Sequence, residues 1–187
     1  MNYKLESIEY KGIFRYFEEI SNVPRGSKNN QGISNYLVNF AKERGLEHWQ
    51  DEFLNVVIIK EATKGYEQAP TLIIQGHMDM VCEKAANVEH DFLKEGLNLA
   101  IDGDYVYAKG TTLGGDDGIA IAYALAILDN DSIVHPRLEI LITTDEEIGM
   151  NGAIGFDASK IQGKYMLNID SEEEGILLTS SAGGLTG

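Results

Sequence analysis

The sequence has 187 residues, of which 43% are hydrophobic and 24% are charged; it therefore fits one globular domain, or part of a larger one, and excludes general disorder. Thirty acidic and 15 basic side chains give a formal charge of −15, which argues against nucleic acid and anionic membranes as partners and makes cations natural ones. The single cysteine, Cys82, excludes an internal disulfide and a cysteine-based zinc site. With no signal peptide and no long apolar run, the sequence predicts a soluble cytoplasmic protein.

The first third of the chain predicts two helices. In SIEYKGIFRYFEEI (7–20) the apolar residues recur at helical spacing, and Pro24 then interrupts the helix. Ser27 is expected to cap a second helix, which ends at Gly45.

Apolar runs further along the chain predict strands. NVVIIK (55–60) and TLIIQG (71–76) look like neighbouring strands. TLIIQG and RLEILITT (137–144) have the continuous apolar character of strands in a sheet that is covered on both faces. KYMLNID (164–170) predicts a third interior strand of this kind, and GILLTSS (175–181) predicts a fourth.

Helical segments alternate with these strands. GIAIAYALAIL predicts a buried helix that begins near Asp116, and a short helix is expected around 158–161. Asp102 and Gly103 lie between two apolar stretches and predict a hairpin. The alternation predicts an α/β fold with a mainly parallel sheet covered by helices on both faces.

Acidic residues and one histidine follow the predicted strands. Ligands of open α/β sheets bind beyond the carboxyl ends of the strands. The residues at three such ends and at the start of the alanine-rich helix are His77, Asp79, Asp145, Glu146, Glu147, Asp170, Asp116 and Asp117. One acid in such a position means little, but the set predicts a single site. The three glutamates at 172–174 are expected to be solvated.

His77 and Asp79 have a spacing that suits metal binding. Residues two apart in an extended segment point to the same side, so the Asp79 carboxylate can hold the imidazole in its metal-binding tautomer. One histidine among several carboxylates suits zinc, cobalt or manganese better than calcium or magnesium. The number of carboxylates predicts two ions, roughly 3.5–4 Å apart, which would acidify water and polarise a carbonyl for hydrolysis. One of Glu146 and Glu147 can bind metal while the other acts as general base.

Four motifs carry a family resemblance: GHMDMV, GTTLGGDDGIA, TTDEEIGMNGA and NIDSEEEG, in this order. Together they resemble the M20 family of di-metal peptidases, and more narrowly its aminoacyl-histidine (Xaa-His) dipeptidase branch. The stretch VEHDFLKEGLNLAIDGDYVYAKGTTLGGDDGIA (88–120) also resembles that branch. The resemblance runs from VPRGS to SAGG and so covers most of the chain.

The resemblance implies a role for each candidate residue. His77 would bind one metal, and Asp79 would be the catalytic aspartate that orients it. The remaining roles are Asp116 as the bridge between two metals, Glu146 as general base, Glu147 as a ligand of the second metal and Asp170 as a ligand of the first. The implied cofactor is two divalent ions, zinc above cobalt or manganese. The implied reaction is hydrolysis of dipeptides, notably those with C-terminal histidine, without a covalent intermediate.

Two features depart from the family pattern. Asp117 stands where some relatives are expected to have asparagine, so either carboxylate of GGDDG can be the bridge, and the motif register favours Asp116. Family members run to more than twice this length. Residues 1–187 are therefore expected to be the N-terminal portion of a di-zinc peptidase-like catalytic domain. It would be truncated before the lid domain and lack the return segment that supplies the last histidine ligand.

Several alternatives stay open at this point. The intact protein could be another M20-type hydrolase, such as a tripeptidase, a carboxypeptidase or an amino-acid deacylase. The isolated 187-residue fragment is expected to be inactive, and its alternative role is that of a metal-binding module. A small peptide is the expected substrate, and a second copy of the chain, in a homodimer, is a possible partner.

Overall fold

The computed structural model describes residues 3–171 and 175–180, and within them the chain forms four α-helices and seven strands. In chain order these are α1 (Lys11–Ser21), α2 (Gln31–Glu43), β1 (Glu47–Gln50), β2 (Val56–Lys60), β3 (Leu72–His77), β4 (Leu99–Asp102), β5 (Tyr105–Ala108), α3 (Gly115–Leu128), β6 (Leu138–Thr143), α4 (Asn151–Gly155) and β7 (Tyr165–Asn168). Two short 3₁₀ turns are Glu146–Ile148 and Ala158–Lys160. The predicted solvated run at 172–174 lies outside the described residues.

Five strands form one mixed sheet in the order β1-β2-β6-β3-β7, and β4 and β5 form the predicted hairpin. The predicted α/β class is confirmed, but the sheet is not mainly parallel. β3 runs parallel to β6 and β7, whereas β2 is antiparallel to both β1 and β6. The sequence predicted that β2 and β3 are neighbours. This prediction is wrong, because β6 lies between them. All six residues of β6 are buried, as a continuous apolar run in a central strand requires.

The two faces of the sheet are covered unequally. The main core lies between one face and helices α1, α2 and α3, and it includes Ile58, Ile74 and Ile140. The predicted cover of helices on both faces is therefore only partly right. The second face has a small cluster, which consists of Val57, Ile59, Ile73 and Leu141 with Trp49, Phe156 and Ile161 packed against them.

Three local predictions are wrong. β7 is a strand but lies at the edge of the described sheet, where all four side chains are exposed because β3 is its one partner there. Residues 175–180 form no strand, and their apolar side chains are exposed in the described part of the chain. Ser27 does not cap α2, which begins at Gln31, because its hydroxyl donates to Asp79 instead. β1, with the sequence EHWQ, was not predicted because its residues are largely polar.

The parallel strands bring the predicted site residues to one edge of the sheet. His77 pairs with Thr143 at the end of β6, and Gln75 pairs with Asn168 at the end of β7. α3 packs closely on β3, since an added Cβ at Gly76 would lie 2.8 Å from the Cβ of Ala120. The amino end of α3 is therefore held beside the carboxyl end of β3.

The helices of the described part of the chain are too short or too polar to cross a membrane.

Candidate metal centre

His77 is the centre of the site. It ends β3 and is 1% exposed. Its Nδ1 lies 3.1 Å from the backbone oxygen of Asp79 and 3.4 Å from Oδ1 of the same residue. Its Nε2 lies 2.9 Å from Asp116 Oδ1 and 4.0 Å from both Glu146 Oε2 and Asp170 Oδ1. Side chains that follow two strands, β6 and β7, and one from the start of α3 thus surround a single imidazole nitrogen.

The Asp79 carboxylate joins His77 to the turn that carries the two glutamates. Asp79 is fully buried, and it accepts hydrogen bonds from the Ser27 hydroxyl at 2.8 Å and from the backbone N–H groups of Glu146 at 3.0 Å and Glu147 at 3.3 Å. Burial alone would raise the pKa of Asp79, but the hydrogen bonds from His77, Ser27 and the Glu146 backbone lower it below its ordinary value. An ionised carboxylate therefore fixes the imidazole and the turn together.

The neighbouring carboxylates favour the protonated form of the His77 imidazole. Burial alone would lower the pKa of His77, but its hydrogen bonds to Asp79 and Asp116 raise it to about 9. Because a metal binds the neutral imidazole, binding of a cation at His77 would release a proton from the ring.

Asp116 and Asp117 face different surroundings, although they are adjacent and joined by a cis peptide bond. The Asp116 side chain is 70% exposed and points to His77 Nε2. Asp117 is 1% exposed, and its Oδ2 accepts the backbone N–H of His77 at 3.1 Å. Burial raises the pKa of Asp117 to about 8. The structure therefore places Asp116 among the candidate ligands and Asp117 beneath them.

In two groups of side chains the candidate ligand atoms lie close enough together to hold a metal ion. In each group one ligand atom per residue lies within 4.8 Å of the others; one group is His77, Asp116 and Asp170, and the other is His77, Glu146 and Glu147. Burial and then the charge of Asp116 raise the pKa of Glu147, and burial likewise raises that of Asp170. One nitrogen and several carboxylate oxygens match the donors that zinc, cobalt and manganese accept, so these residues fit a divalent metal.

A cavity of about 360 Å³ opens beside the first group. Its lining includes Asp116, Asp117, Ile119, Ile169 and Asp170. The candidate metal ligands therefore face a space that can admit a small molecule.

Sequence reasoning missed one residue that shapes this site. Arg25 is 2% exposed and donates to the backbone oxygens of Met78 and Asp79. Asp145, which the sequence grouped with the site residues, accepts hydrogen bonds from the Lys28 backbone at 2.7 Å and from the Asn30 side chain at 2.6 Å, and so binds the segment before α2. The available signal was the VPRGS break between two helices, where an arginine with no nearby acid in sequence indicates a tertiary partner.

Comparison with known proteins places this geometry in a family. Residues 73–181 match the family described as Peptidase family M20/M25/M40. The cytosol non-specific dipeptidase of Escherichia coli (strain K12) is 39% identical over 97% of this chain and 38% of its own length.

Solved structures give the same picture. The aminoacylhistidine dipeptidase of Vibrio alginolyticus superposes with a TM-score of 0.89 at 40% identity, over 91% of this chain and 35% of that one. The aminopeptidase PepT of Bacillus cereus ATCC 10987 superposes with a TM-score of 0.71 at 25% identity, over 89% of this chain and 44% of that one. The chain thus spans less than half the length of these relatives. The resemblance that the four motifs predicted is confirmed, and the chain belongs to the M20 peptidase family.

Proposed function

We propose that this chain carries the metal centre of a dipeptidase, with Xaa-His dipeptides as its principal substrates. M20 peptidases are metal-dependent, and the two relatives near 40% identity are named as dipeptidases. The observation that carries the proposal is the convergence of Asp116, Asp170 and Glu146 on His77 Nε2, within 2.9–4.0 Å.

The proposed centre holds two divalent ions, zinc first among them. His77 and Asp170 would hold one ion, Glu147 the other, and Asp116 both. Ions bound there would lower the pKa of water and polarise the peptide carbonyl. Asp79 would keep the Nε2 lone pair of His77 directed at the site, since it binds the opposite side of the ring.

Glu146 is the proposed general base. Its Oε2 lies 4.0 Å from His77 Nε2, so the carboxylate faces the point at which the ligands converge. It would take a proton from water as the water attacks the carbonyl and deliver that proton to the leaving amine. Its backbone N–H is held by Asp79, which limits the positions that the side chain can reach.

A cytoplasmic location belongs to the same proposal. The free thiol of Cys82 suits a reducing compartment, and the E. coli relative is named as a cytosol enzyme.

The test is hydrolysis of Xaa-His dipeptides by the full-length protein with Zn²⁺, Co²⁺ or Mn²⁺, in parallel with a Glu146→Gln variant. We expect the variant to bind metal and to lose at least a hundredfold in kcat, because general-base catalysis contributes roughly 10²–10⁴-fold. Glu47→Gln, an exposed glutamate on β1, is the matched control and should keep wild-type turnover. Wild-type turnover in Glu146→Gln would refute the assigned role, and a panel of tripeptides and acylated amino acids would reveal another specificity.

A further inference from the structure

Arg25 is a buried cation beside two segments that carry candidate metal ligands. It is 2% exposed, in the segment between α1 and α2. Its Nη1 donates to the backbone oxygens of Met78 at 3.2 Å and Asp79 at 3.4 Å, and its Nη2 donates to the backbone oxygen of Gly114. One guanidinium therefore binds both the segment that follows His77 and the segment that precedes Asp116.

The surrounding backbone is shaped to admit this side chain. Gly114 has φ +63°, and a Cβ added there would lie 2.5 Å from Nη2. A Cβ at Gly118, in the first turn of α3, would also lie 2.5 Å from Nη2. The backbone of Arg25 is fixed as well, since its carbonyl accepts the N–H of Met80 at 3.1 Å. Two glycines without side chains thus allow the loops to close on the guanidinium.

The charge of Arg25 does not serve solubility, because the side chain is almost fully buried. Taking a guanidinium out of water is costly unless its donors are satisfied, and here the hydrogen-bond partners in the described residues are carbonyls, with no carboxylate among them. Burial lowers the pKa of Arg25 to about 10, and the charges of Asp79 and Asp117 oppose that shift. The side chain stays charged at neutral pH. The cost of burying this charge has to be offset by the hydrogen bonds with which Arg25 joins the two backbone segments.

We propose that Arg25 is a positioning residue for the metal centre. Its planar guanidinium fork holds the loop that follows His77 and the loop that precedes Asp116, and so keeps both side chains in ligand geometry. This inference rests on the proposed function, because it assumes that the two loops bind metal together. Arg25 donates to backbone oxygens and not to the proposed ligand side chains, so in this role it acts through the two loops.

Charge and geometry predict opposite effects on metal binding. A positive charge near a cation site repels the cation, so removing the charge alone would tighten metal binding. Removing the fork frees the two loops to separate, which weakens binding because the ligands are no longer preorganised. A weaker affinity after loss of the arginine therefore reports positioning.

The experiment measures Zn²⁺ binding to the full-length chain by calorimetry for wild type, Arg25→Met and Arg25→Lys, with folding checked by circular dichroism. Lys60→Met is the matched control, because Lys60 Nζ also donates to three backbone oxygens, those of Ile127, Leu128 and Asn130, at the opposite end of α3. We expect the Kd for Zn²⁺ to rise at least tenfold in both Arg25 variants. We expect Lys60→Met to lower the unfolding temperature and leave the Kd within twofold of wild type.

Each outcome decides the question. If both Arg25 variants fold and bind Zn²⁺ as tightly as wild type, or more tightly, the positioning role is wrong. If Arg25→Lys alone binds like wild type, a single amine can replace the planar fork, and the proposal is overturned in that form. Failure of both variants to fold would make Arg25 a general stability residue and would also overturn it. Absence of Zn²⁺ binding in the wild-type chain would instead refute the proposed function.

Discussion

Replacing Asp79 with asparagine isolates the charge that links His77 to the glutamate turn. The carboxylate is fully buried and accepts from the Ser27 hydroxyl and from the N–H groups of Glu146 and Glu147. An asparagine side chain has the same shape but one oxygen, so its NH₂ group must face at least one of these donors.

The least costly arrangement places the NH₂ group where Oδ2 now lies. The Ser27 hydroxyl can rotate and accept, but the N–H of Glu147 cannot, and it loses its partner at 3.3 Å. Loss of a hydrogen bond to a charged group costs about 1.5–3 kcal/mol, and an unsatisfied buried donor costs a similar amount. Because that bond is long, we expect Asp79→Asn to lower the free energy of unfolding by about 2–3 kcal/mol, or the unfolding temperature by about 5–10 °C.

Urea unfolding at pH 7 in EDTA, followed by circular dichroism, measures this change without bound metal. Asp157→Asn is the control, since Asp157 accepts the N–H and hydroxyl of Ser159 on the exposed surface and should cost under about 0.5 kcal/mol. If the two variants are equally stable, the buried carboxylate of Asp79 does not stabilise the turn.

Three further predictions concern the scaffold. Hydrogen bonds from Tyr16 and two arginines outweigh burial and lower the pKa of Asp129 to about 2 from 3.8; the stability it contributes should be complete above about pH 4 and lost as the pH falls towards 2. Asp129→Asn should therefore cost on the order of 1 kcal/mol at pH 7 and almost nothing at pH 2, measured by thermal melts, and a pH-independent cost would contradict the assignment. Gly76→Ala should cost about 1–3 kcal/mol in urea unfolding, because the new methyl group has no room between β3 and α3, and an unchanged midpoint would show that the helix can shift. Ile140→Ala, in the centre of the buried β6, should cost about 2–5 kcal/mol, whereas Leu177→Ala, at an 85% exposed position, should leave the midpoint unchanged; equal midpoints would contradict the assigned core.

Periodicity and strand-end chemistry predicted much of this molecule. α3 and β6 have strong local signals, an alanine-rich helix and a continuous apolar run, so their sequences alone indicate both type and burial. The position of the site followed because the parallel strands β3, β6 and β7 end at one edge. That argument needed only the direction of the strands and not their order.

The rest depended on contacts between segments far apart in the chain. Nothing within NVVIIK or TLIIQG says that β6 inserts between them, because pairing partners are chosen by the whole sheet. Ser27 has the composition of a helix cap, but a buried carboxylate 52 positions away binds its hydroxyl. Arg25 was missed for the same reason, since its hydrogen-bond partners lie on loops that sequence spacing does not place beside it.

The two groups of candidate metal ligands share one nitrogen donor, the Nε2 lone pair of His77. Nδ1 of His77 is already engaged by Asp79, so Nε2 alone can serve as a nitrogen donor, and it can serve one ion at a time. With the proposed roles, the described residues would offer three donors to one ion, from His77, Asp116 and Asp170, and two to the other, from Asp116 and Glu147. A titration of residues 1–187 with Zn²⁺ should accordingly resolve one tight and one loose equivalent.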